Sequence, residues 1–166
     1  MKRFLIAAFV AWLAANAGSA QAADAPNAAQ RAALMKPVNA WVRAFDAHDV
    51  RFPADAFTSD CVVIDEFAPF AWAPGETPSV QSWYKKVVGA DGPKHRARVL
   101  ASHEYVVVGE PENVRIAGDL AYMTFHAYWG GNFEGRRRVE HGLFVVVERK
   151  TAGGWLMSAN SWGILR

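Results

Sequence analysis

The chain has 166 residues, 52% of them hydrophobic, and a formal net charge of +2. That length suits one domain with one core. A single cysteine, Cys61, excludes an intrachain disulfide, and the near balance of 18 basic and 16 acidic residues gives no argument for a polyanionic partner.

The N-terminus reads as a leader. Lys2 and Arg3 precede an uncharged apolar run from Phe4 to Ala15, and Ala20-Gln21-Ala22 fits a small-x-small cleavage site. The run is short of the roughly 20 residues that a membrane span needs. No cysteine stands at the cleavage point to carry a lipid. Residues 1–22 are therefore expected to be a signal peptide, with the mature chain starting at Ala23, exported to the periplasm or secreted and free of the membrane after cleavage. The leader holds two basic and no acidic residues, so the 18 basic residues fall to 16 and match the 16 acidic ones. No nucleic-acid partner is expected.

After an Ala-rich stretch to about residue 30, Leu34, Val38, Trp41, Val42 and Phe45 share one helical face, which predicts a helix running to His48. Pro37 starts that helix or kinks it, since it has no N–H. Phe52 to Phe57 is a connector. Cys61 to Phe67 reads as a strand, and Ala68 to Pro78, rich in proline, as a loop. Ser79 is a natural N-cap for a helix over Val80 to Val88, which Gly89 to Pro93 ends. The remainder is β-rich, with strands expected over Arg96 to Val108, Val114 to Ile116, Leu120 to Trp129, Arg136 to Arg149 and Trp155 to Ile164. Gly130-Gly131 and Gly153-Gly154 are read as turn glycines. Early helices followed by consecutive hairpin strands predict an α+β domain with a mostly antiparallel sheet. Both alternating sets of the Leu120–Trp129 strand are apolar or aromatic, so helices are expected on one sheet face and a second subunit on the other.

The order of a long helix, Thr58-Ser59-Asp60-Cys61-Val62-Val63-Ile64-Asp65, a Pro/Gly loop, a short helix around Trp83-Tyr84 and long strands ending in Gly154-Trp155-Leu156-Met157-Ser158 resembles the nuclear transport factor two-like superfamily. Within it, the chain is most similar to SnoaL-like and ketosteroid isomerase-like domains. The resemblance covers nearly the whole of residues 23–166. It implies a cone-shaped curved antiparallel sheet wrapped by a long N-terminal helix and shorter helices, a small molecule in the open end, and a homodimer through the outer sheet face. It also implies that Tyr122, Thr124, His126 and Tyr128 look into the cone and that Asp65 stands where the isomerases carry their general base. Trp41 stands where their first helix offers an oxyanion-hole tyrosine. Their second donor falls near Leu143, with Glu140 the nearest carboxyl, so steroid isomerisation itself is not expected.

Asp65 and Glu66 are neighbours on the expected strand, so only one can enter the cone, and Asp65 is favoured. A carboxylate in an aromatic pocket has a raised pKa, which suits proton transfer. Asp65 with His126 is the expected acid–base pair. Trp41, Trp83, Tyr84, Tyr105, Tyr122, Thr124, Tyr128 and Ser161 are the expected ligand contacts; ordinary aromatic core packing is the competing account of the same residues. The five histidines lack metal-ligand spacing and no Gly-rich phosphate loop is present, so neither a metal nor another cofactor is expected. Two functions remain open: binding of a small hydrophobic molecule with acid–base turnover of an isomerase, dehydratase or cyclase type, or a non-catalytic docking module with a plugged cone.

Overall fold

The computed structural model describes residues 25–74 and 79–165. The leader at residues 1–22 lies outside them. Three helices and seven strands follow one another among the described residues: α1 (Ala28–Asp46), β1 (Phe57–Ile64), β2 (Ala71–Trp72), α2 (Val80–Val87), α3 (Pro93–Ser102), β3 (Tyr105–Val108), β4 (Glu112–Ala117), β5 (Leu120–Phe133), β6 (Arg136–Thr151) and β7 (Gly154–Ile164).

The strands form one curved, unclosed sheet in the order β2-β1-β7-β6-β5-β3, with β4 on the same edge of β5 as β3. All pairs are antiparallel except β1 with β7. Register irregularities interrupt three ladders, between Phe57 and Val62, Glu112 and Arg115, and Val147 and Glu148. Such bulges bend strands and let a sheet curl. The fold is thus α+β and cone-like, as expected, with one parallel pair inside a sheet otherwise antiparallel.

Helix α1 begins earlier than the apolar pattern suggests, because Asn27 and Gln30 form a reciprocal capping box with both bonds at 2.9 Å. Pro37 lies inside the helix. The face bearing Leu34, Val38, Trp41 and Phe45 is buried against the sheet. Ser79 caps α2 as expected, accepting from the Ser82 N–H.

The strand expected over Arg96 to Val108 is instead a helix followed by a short strand. Pro93 sits at the first turn of α3, where a missing N–H costs nothing. The stretch to Ser102 has one β-branched residue, Val99, and the cluster Val106-Val107-Val108 begins only after it. Arg96 fixes α3 in place by donating to the carbonyls of Val88 at 2.6 Å and His48 at 2.7 Å, the ends of the two other helices.

Strand β5 also runs past its expected end, and Gly130 and Gly131 lie within it rather than in a turn. A Cβ on Gly130 would stand 2.6 Å from the Tyr105 hydroxyl, and one on Gly131 would crowd the Ser102 carbonyl and Glu104. The two glycines therefore admit β3 and the end of α3 to close approach.

The facing of β5 is the reverse of that implied by the resemblance. Met123, Phe125 and Ala127 are fully buried under the helices, whereas Tyr122 and Tyr128 are each 42% exposed on the outer face, with His126 exposed between them. Both sets contain rings, but the phenols and the imidazole are all on one of them. Phenol and imidazole groups tolerate water, so the set without them takes the core.

Candidate active site

The open end of the cone encloses a cavity of about 320 Å³. Helix α1 supplies Trp41 and Phe45, α2 supplies Trp83, Lys86 and Val87, and α3 supplies His95, Arg98 and Val99. The sheet supplies Val106, Trp129, Phe133, Glu140, Phe144 and Trp162, while Asp65, Glu66 and Phe67 come from the turn after β1 and Glu104 from the turn before β3. Eight of these eighteen side chains are phenylalanine or tryptophan. Trp41 stacks on Phe144 with ring centres 5.0 Å apart and on Trp83 at 6.5 Å.

Asp65 is positioned by the end of a strand. β1 stops at Ile64, and the chain turns back so that the Asp65 N–H donates to the Phe70 carbonyl at 3.0 Å before β2 begins. Its side chain accepts the Glu66 N–H on Oδ1 at 2.7 Å and the Trp83 indole N–H on Oδ2 at 2.8 Å. Burial raises its pKa above the ordinary value of 3.8, and the two hydrogen bonds oppose that rise.

Strand alternation does not apply past Ile64, so Glu66 enters the cavity wall as well as Asp65. This corrects the expectation that only one of them can. Glu140, two pleats before Phe144 on β6, meets Glu66 there. Burial first, then the charges of Glu140 and Asp65, push the Glu66 carboxyl up to about 7. Two carboxyls sharing a site resist double ionisation, so this pair holds a proton near neutral pH. One Glu140 oxygen, Oε2, is buried without a hydrogen-bond partner among the described residues.

Trp41 is 6% exposed, and its indole N–H has no partner among the described residues. A buried donor left unpaired costs free energy until an acceptor reaches it. Cys61 is fully buried under the sheet, and burial lifts its thiol to about 12, so it is no nucleophile.

Of the residues expected from the sequence, the structure brings Asp65, Trp41 and Trp83 together. His126 is not with them. It lies on the outer face, its Nδ1 3.0 Å from Nε2 of His141, and Tyr128 stacks on His141 at 4.7 Å. The Asp65–His126 pair is therefore not assembled, because the β5 face carrying His126 turns outward. Tyr122 shares that exposed face. Thr124 is buried there beneath β4, bonded to Asn113. Tyr105 lies over Gly130 and accepts from Arg137, and Ser161 is on the opposite side of β7 from Trp162. Tyr84 is fully buried in the core, its hydroxyl donating to the Asp49 carbonyl at 2.7 Å. Sequence reasoning missed Trp129, Phe144 and the Glu66–Glu140 pair. The β6 alternation Glu140-x-Gly142-x-Phe144 was the available signal.

Solved structures support the fold. An ntf2-like protein with a cystatin-like fold from Novosphingobium aromaticivorans is 16% identical, with a TM-score of 0.64 over 96% of this chain and 88% of its own. A nuclear transport factor two-like superfamily protein from Salmonella enterica is 10% identical, with a TM-score of 0.61 over 83% and 92%. The hexachlorocyclohexane dehydrochlorinase LinA-type3 from Novosphingobium barchaimii is 11% identical, with a TM-score of 0.63 over 83% and 88%. No curated protein matches. The model of the SnoaL-like domain matches residues 26–160, nearly the whole described chain, and the protein belongs to that family.

Proposed function

We propose that the protein binds a small apolar molecule in the cone and turns it over by proton transfer, with Asp65 as the base. The observation that carries this reading is an open cavity of about 320 Å³ whose aromatic wall holds one partly desolvated, doubly hydrogen-bonded carboxylate. The open space argues against a plugged cone, while the separation of Asp65 from His126 keeps docking through the outer sheet face as the second reading.

The chemistry follows from the groups present. Asp65 accepts a proton from a ligand carbon or hydroxyl. Negative charge developing on a ligand oxygen is met by the proton held between Glu66 and Glu140. Preorganised donors in a dry site are the strongest electrostatic aid to such a step. This replaces the Asp65–His126 pair as the acid–base arrangement. One similar structure is by its name a dehydrochlorinase, and removal of HCl is compatible with a cavity of this kind.

The segment 1–22 supports export to the periplasm or outside the cell, with the mature chain from Ala23. The exposed apolar side chains Val107, Tyr122, Tyr128 and Val139 on the outer sheet face support a homodimer through that face. The test of the binding reading is a thermal-shift screen of hydrophobic ketones and acids, since a ligand of the folded state raises apparent stability. Ligands that shift the wild type should also shift Asp65→Asn, whereas turnover should be lost in that variant. No shift across the screen overturns the reading.

A further inference from the structure

The cavity has two electrically different sides. Asp65, Glu66 and Glu140 lie together where β1 ends and β6 passes. On α3, Arg98 lines the same cavity. The charge of neither Arg98 nor Lys86 is felt in the shifts of Asp65 or Glu66, which arise from burial and from the carboxyls themselves.

Arg98 is held for a partner it does not have. Its Nη2 donates to Nε2 of His95 at 2.8 Å, and Nδ1 of His95 stands 2.5 Å from Asp91. For Nε2 to accept, the single imidazole proton must be on Nδ1 and point to Asp91. A chain of Asp91, His95 and Arg98 therefore orients the guanidinium through a neutral ring. Among the described residues, Arg98 makes no ion pair with a carboxylate. Glu104, also on the wall, has one oxygen, Oε1, 2.8 Å from the Ser102 hydroxyl, which also lies 2.9 Å from the Val99 carbonyl. Lys86 is turned to the Ala68 carbonyl at 3.2 Å and to the Phe67 ring. The remaining edge of the Arg98 fork suits a planar, two-oxygen acceptor.

We propose that the ligand is an aromatic or alicyclic carboxylate, its carboxylate held by Arg98 at the α3 side of the mouth and its apolar body lying along the tryptophans toward Asp65. This rests on the reading of the cavity as a ligand site and names the ligand class. The arrangement orients the molecule: the Asp65–Glu66–Glu140 side repels a second anion, so the carboxylate docks at α3 and the far end of the ligand faces the base.

The test is a titration of the protein with 2-naphthoate and with its neutral isostere 2-naphthamide, followed by quenching of the cavity tryptophans. Naphthoate should bind roughly 10-fold tighter than naphthamide, and the difference should shrink as salt rises. Arg98→Gln, a change at an exposed helix position, should remove that preference while leaving naphthamide within about 2-fold, and Arg98→Lys should restore part of it. Equal binding of the two probes to the wild type, or equal loss of both in Arg98→Gln, overturns the proposal and leaves the cavity a ligand site. Binding of neither probe overturns it together with the reading on which it rests. The wild-type comparison stands even where a variant folds poorly.

Discussion

Trp83 donates its indole N–H to Oδ2 of Asp65 at 2.8 Å, across 18 residues of sequence. The bond does two things: it fixes the carboxylate against the aromatic wall, and it holds down a pKa that burial raises. Trp83→Phe keeps most of the ring and deletes the donor. The Asp65 carboxyl should then titrate at a higher pH than in the wild type, as read by carbon-detected NMR of the aspartates. An unchanged titration would show that the indole N–H does not act on Asp65.

The Glu66–Glu140 pair predicts an ionisation near neutral pH. Glu66 is protonated below about 7 and ionised above it. Glu140→Gln removes the opposing charge, so Glu66 should titrate closer to its ordinary 4.5. Wild-type tryptophan fluorescence should show a step near pH 7 that Glu66→Gln abolishes and Glu140→Gln moves down. A step that survives in Glu66→Gln belongs to another group.

Glu148 makes the protein less stable as pH rises. It is fully buried on β6, neither oxygen has a hydrogen-bond partner among the described residues, and burial lifts it to about 9. Folded, it keeps its proton to about pH 9; unfolded, it loses it near 4.5. The folded state holds one more proton between those values, so stability falls through that window and levels off above it, a loss on the order of 3 kcal/mol at pH 7. Glu148→Gln should match the wild type near pH 4 and unfold at a higher temperature at pH 8. A parallel pH dependence in both proteins would contradict this.

The outer sheet face predicts self-association. Tyr128 is 42% exposed, stacked on His141 and flanked by Val139 and Val107. Tyr128→Asp should convert the dimer to monomer at micromolar concentration in sedimentation velocity while leaving the melting of the monomer fold near that of the wild type. A monomeric wild type would remove the dimer from the account.

The elements legible in the sequence were those with one dominant pattern. The face of α1 follows from Leu34, Val38, Trp41 and Phe45, and α2 follows from its Ser79 cap. Asp65 was readable as a cavity residue because it closes the stretch from Thr58 that carries the resemblance. Three features resisted. α3 was masked by the valines that follow it, so that its residues from Arg96 to Ser102 were read into a strand. In β5 the period of two was visible but its phase was not, since rings stand on both faces, and this sent His126 and its neighbours inward. The Glu66–Glu140 pair depends on where β1 stops, and alternation carries no information about a strand's last residue.

The central claim is that Asp65 acts as a base on a ligand inside the cone, and hydrogen–deuterium exchange tests it without knowledge of the natural reaction. A hydrophobic ketone that raises the melting temperature would be incubated with the protein in deuterium oxide and its α-hydrogens followed by proton NMR. The account predicts accelerated loss of the α-hydrogen signal with the wild type and a loss of at least about 100-fold of that acceleration with Asp65→Asn at unchanged binding. Equal exchange with the two proteins would contradict it.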